Sequence, residues 1–129
     1  MSTSPKRKPA TPPATTEAAP EQPFLRFYHS DALRRKTLDL LSRIEGADDA
    51  REHSDALADL VVELMNSGMD YFFMQPLKES KAGFIVQQSA NLGLAGAQQV
   101  MGSVIRKIIQ RMDAAQLVSV SGSIRRLMI

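Results

Sequence analysis

The chain has 129 residues, a formal net charge of +2, no cysteine and no tryptophan, and aromatic residues make up 5% of it. These figures fit one small domain and exclude disulfides, thiolate metal sites and a cysteine nucleophile. They also argue against a base-stacking surface, and the small net charge implies no polyanionic partner by itself.

Residues 1–23 hold six of the seven prolines, among many Ser, Thr and Ala. Such a segment cannot bury enough apolar surface to offset chain entropy, so a disordered tail is expected there, with a helical domain over 24–129. Lys6, Arg7 and Lys8 form a short basic run within the tail. That run leads into Pro, Thr and Ala instead of an apolar stretch, so no secretory signal is visible and the cytoplasm is the expected compartment.

Phe24, Phe27 and Tyr28 come next and are expected to cover one end of a bundle. Leu33, Thr37, Leu40 and Ile44, with Leu41 beside them, predict a first helix. Ser30 suits its N-cap, Asp31 its positive end and Gly46 its stop. A second helix is predicted from Asp49 to Met74, opened by a capping box of Asp49 and Glu52. Leu57, Leu60, Val61, Leu64, Gly68, Tyr71 and Phe72 form its apolar stripe. Pro76 is expected to end or kink that helix and to open a third, from Leu77 to about Met112 and roughly 54 Å long. Asp113 and Gln116 fit another capping box, and Leu117, Val120, Ile124 and Leu127 keep helical spacing. The run VSVSGSI also alternates like a strand, but a lone strand would have no partner, so helix is favoured. The expected fold is all-α, a small antiparallel bundle of three to four helices behind a disordered N-terminal tail.

The third helix is the unusual element. Between Lys81 and Arg106 no side chain is charged, although charged residues make up 23% of the chain. Each glycine inside a helix costs ~1 kcal/mol relative to alanine, and close backbone approach is the usual compensation. Helical geometry gathers Val86, Ser89, Gly93, Ala97 and Val100 on one arc, with Ser89, Gly93 and Ala97 as a small-residue ladder at its centre. The arc is expected to be a helix-crossing site. The crossing helix belongs to this chain, to a second copy in a homodimer, or to another helical protein. The stretch is long enough to span a bilayer. However, Gln87, Gln88, Asn91, Gln98 and Gln99 are costly to leave unpaired in hydrocarbon, so no transmembrane span is expected. Coating of an apolar surface, a membrane or a storage granule, stays open. The Ala/Gln/Val-rich texture resembles that of phasins, the proteins that coat polyester granules, in composition alone.

Motifs for chemistry are scarce. His29 and His53 are far apart, and neither HExxH, GxSxG, a Walker A loop nor GxGxxG occurs. Asp55, Asp59 and Glu63 align on one helix face with no histidine among them, which reads as a solvated acidic face. No enzyme activity, cofactor or metal site is expected. Charge is divided along the chain: residues 48–75 are acidic except for Arg51, and residues 76–129 are basic except for Glu79 and Asp113. Arg34, Arg35, Lys36, Arg106, Lys107 and Arg111 could form a phosphate-contacting surface, so binding of nucleic acid or an anionic surface is one alternative. The expected function is a non-enzymatic helical module for protein–protein interaction or self-association.

Overall fold

The structure, a computed structural model, describes residues 22–128. The expected disordered tail, with Lys6, Arg7 and Lys8, lies outside the described residues except at its end. In chain order the elements are α1 (Asp31–Gly46), a 3₁₀ turn (Ala50–His53), α2 (Ser54–Met69), a π turn (Asp70–Met74), α3 (Gln75–Glu79), α4 (Phe84–Gln110) and α5 (Ala114–Leu127). Helix α2, the π turn and α3 run on as one rod, so four helical rods pack together. No strand occurs among the described residues. The all-α fold expected from the sequence is the fold found.

Two of the three expected caps form. The Ser30 hydroxyl accepts the Leu33 N–H at 3.0 Å and starts α1. The Asp113 carboxylate accepts the Gln116 N–H at 2.8 Å, while the Gln116 side chain accepts the Asp113 N–H at 2.9 Å. This reciprocal box satisfies two free donors and commits the following residues to α5, despite their strand-like alternation. The box expected at Asp49 and Glu52 does not form. Arg51 lies closer to Asp49 and takes its carboxylate, through the Arg51 N–H at 3.1 Å and the guanidinium at 3.0 Å. The guanidinium hydrogen bond, the larger cause, lowers the Asp49 carboxyl below its ordinary value. Asp49 thus caps only the 3₁₀ turn, and α2 begins at Ser54 without a side-chain cap.

The break expected at Pro76 is displaced. Gln75 donates its N–H to the Asp70 carbonyl, five residues back. This wider turn makes room for the proline ring, which in a regular α-helix collides with the carbonyl four residues earlier. The rod therefore continues to Glu79, and the chain reverses at Ser80–Gly83. Lys81 has a φ of 60° there, the left-handed region that L-residues seldom occupy. Gly83, expected inside a helix, instead stands as the N-cap of α4.

The core occupies one end of the molecule. Leu33, Leu40, Leu41 and Ile44 from α1, Leu57 and Leu60 from α2, Ile109 from α4 and Leu117 from α5 are buried. Burial of this kind is worth ~1.5–3 kcal/mol per large aliphatic side chain and holds the four rods together. Beyond it, α2 and α4 continue as a hairpin. Their contacts run antiparallel, from Asp55 with Gln110, through Asp59 with Arg106, to Val62 beside Gly102. From Val61 to Ile108 no residue is buried.

Candidate interaction surface

Helix α4 is the longest element, and Ile109 is its one buried residue. It lays one face on α2 through the half-buried Leu94, Gln98, Gly102 and Ile105. The close backbone approach that the glycines suggested is not found: even Gly102, which faces α2, leaves room for a methyl group. A Cβ built there would stand 3.7 Å from a Val62 methyl group, an ordinary van der Waals contact. At Gly93 and Gly96 a Cβ would meet nothing within 4 Å among the described residues.

The arc singled out in the sequence turns to solvent. Ser89, Gly93, Ala97, Val86 and Val100 are all exposed, Val86 at 52% and Val100 at 67%. No described helix of this chain crosses them. Phe84, Ile85, Leu92 and Val104 are exposed on the same helix. Side chains this apolar are usually scattered singly over a surface; here they lie along the charge-free stretch of one helix.

A shallow apolar groove of about 60 Å³ runs beside the arc, between α2 and α4, lined by residues that include Met65, Met69, Leu94, Ala97 and Met101. Ala97 belongs to both the groove and the arc, so the two form one surface. Met65 and Met69 were not singled out in the sequence. They fall outside the apolar stripe of α2, and only the course of α4 brings Met101 beside them. Unbranched thioether side chains adapt to irregular partners, which suits an interaction surface.

The six basic residues do not make one cationic face. Lys36 of α1 pairs with Glu63 of α2, and Arg106 of α4 pairs with Asp59 one helical turn away. The Asp59 hydrogen bond raises the Arg106 pKa further. Gln110 donates to Asp55 at 2.9 Å. The acidic face of α2 thus stands between the basic clusters and is engaged with the helices on either side. Arg34, Arg35, Lys107 and Arg111 have no ion-pair partner among the described residues. No group of three or more His, Asp or Glu side chains among the described residues could hold a metal ion. No described helix is long and apolar enough to cross a membrane.

Comparison with protein-family models, curated proteins and solved structures found no match to this chain.

Proposed function

We propose that the protein is a non-enzymatic self-association module whose α4 helix pairs with α4 of a second copy. The observation that carries this reading is the uncharged arc of α4, exposed along its length and uncovered by any described helix. A second copy fits it for two reasons. Neither helix brings a charge onto the other between Lys81 and Arg106, so pairing there buries no ion. The small centre at Ser89, Gly93 and Ala97 lets two backbones approach, while Val86 and Val100 on either side supply contact area. The adjoining methionine groove offers further apolar surface at the edge of such a pair.

Sedimentation velocity of the full chain from about 1 to 100 µM tests this, the range in which transient to moderately stable dimers titrate. A concentration-dependent dimer, abolished by Val100→Glu, is expected. A strict monomer throughout overturns the reading. A fluorescent DNA duplex and lipid vesicles, added in parallel at about 50 mM salt, where phosphate contacts are strongest, check the alternatives. The engagement of Lys36 and Arg106 with α2 favours pairing over nucleic-acid binding.

A further inference from the structure

A second feature lies where the rod of α2 widens into the π turn, and it involves no residue of α4. The segment before α1 lies across this point. Phe27 rests on Gly68, 3.6 Å from where a Cβ would stand, and its ring meets those of Tyr71 and Phe72 at centroid distances of 6.3 and 6.0 Å. Tyr28 meets Tyr71 at 6.2 Å with the two rings inclined by 61°, which makes an aromatic corner. The corner opens on a broad surface cleft lined by residues that include Tyr28, His29, Asp70, Tyr71, Gln75 and Glu79.

The lining has a definite chemistry. It holds two carboxylates and neither lysine nor arginine. Asp70 and Glu79 pair with no cation among the described residues, in contrast to Glu45, Asp59 and Glu63. The Gln75 amide donates to Asp70 at 3.0 Å and fixes the carboxylate within the π turn. A metal ion is a poor fit, because no three ligating side chains gather among the described residues. A cation with an apolar shell is a good one. Tyrosine faces attract such a cation through the ring quadrupole, and the carboxylates supply the opposite charge. Single-turn π insertions of this kind recur at functional sites.

We propose that this cleft binds an alkylammonium group, with Tyr28 and Tyr71 against its methyl or methylene shell, Asp70 nearest its charge, and Glu79 farther along the rod adding to the negative field. The group is carried either by a free small molecule or by a lysine side chain of another protein.

The chain has two tyrosines and no tryptophan, and both tyrosines line the cleft, so intrinsic fluorescence reads the site directly. The full chain is titrated with choline chloride, with sodium chloride at equal ionic strength as the blank. A saturable change with a midpoint in roughly the millimolar range is expected, as befits cation–π contacts at a partly exposed site. The neutral carbon isostere 3,3-dimethylbutan-1-ol should give no saturable change. Nα-acetyl-lysine methylamide tests the side-chain source. The double variant Asp70→Asn/Glu79→Gln should raise the choline midpoint several-fold. Tyr28→Leu, at a residue 83% exposed and so tolerant of substitution, should do the same with Tyr71 as the reporter, and it serves if the double variant does not fold. The proposal is overturned by silence toward both ammonium probes, by an equal response to the isostere, or by a midpoint that the variants leave unchanged.

Discussion

The two ends of the α2–α4 hairpin are built by different rules. At the end shared with α1 and α5, four rods converge and Leu41, Leu57, Leu60 and Leu117 are wholly shielded from water. At the other end the same two helices run on with only the segment before α1 laid against α2, and Phe84, Ile85, Leu92 and Val100 face outward. The sequence of the outer part is no more polar; it has fewer charges than the rest of the chain. Covered apolar residues mark what this domain needs in order to fold. Uncovered ones on the charge-free stretch of α4 mark what it offers to something else. The stability of the monomer and its capacity to associate should therefore be separable by mutation.

The largest effect separates the two ends most plainly. Leu57→Ala at the core end should cost ~2–5 kcal/mol in urea denaturation, since it removes buried methyl groups and leaves a cavity. Leu92→Ala, at a position 69% exposed, should cost under ~0.5 kcal/mol in the same measurement. Equal losses would mean that the outer hairpin is covered in the monomer after all. Gly93→Leu sharpens the contrast because its two effects have opposite sign. A leucine there meets open space and is a better helix former, so the monomer should gain up to ~1 kcal/mol. The same side chain obstructs a close helix crossing, so the dimer seen by sedimentation should weaken. A variant that melts higher and still dimerises normally would place the contact elsewhere on the molecule.

How much of this was legible in the sequence depended on whether the signal was local. Ser30 with its first turn, the Asp113–Gln116 box and the core residues of α1 were readable, because each depends on side chains within one or two helical turns. The capping box at Asp49 failed because Arg51, nearer to the carboxylate, competes for it. The end of the second helix was misplaced because proline was expected to stop a regular helix, and nothing in the pattern signals a π turn that accommodates it. The crossing arc of α4 was legible as an arc. Which way it faces was not, because that depends on which side of α4 the stripe of α2 occupies. The methionine groove and the cleft at Tyr28 and Tyr71 join residues distant in sequence, and no spacing rule brings them together.

The core end contains one polar exception that gives a smaller, sharper test. Thr37 and Ser121 are both fully buried. The Thr37 hydroxyl donates to the Leu33 carbonyl at 2.7 Å, whereas the Ser121 hydroxyl has no partner among the described residues. Leaving such a group unpaired costs ~1–3 kcal/mol, so Ser121→Ala should stabilise the chain by about 1 kcal/mol, measured as a higher urea midpoint. Thr37→Ala should do the reverse, through the loss of its methyl group and its hydrogen bond. If Ser121→Ala destabilises instead, the serine has a role at the contact of α5 with its neighbours that packing alone does not reveal.

The smallest expected effect lies at the tip of the hairpin, farthest along the chain from the core. Lys81 holds a φ of 60°, a conformation that costs an L-residue ~1–2 kcal/mol. Glycine there removes that cost but loses up to ~1 kcal/mol through its greater freedom in the unfolded chain. Lys81→Gly should therefore stabilise the turn by about 0.5 kcal/mol, the difference of these two terms. Where the gain is registered is the informative part. If the outer hairpin unfolds together with the core, global melting should report it. If it opens on its own, as its lack of buried residues suggests, the gain should be confined to slower amide hydrogen exchange around Ser80–Gln87, with the global transition unmoved. The second outcome is expected, because a hairpin without buried side chains adds little to the cooperative unit formed by α1, α5 and the lower parts of α2 and α4.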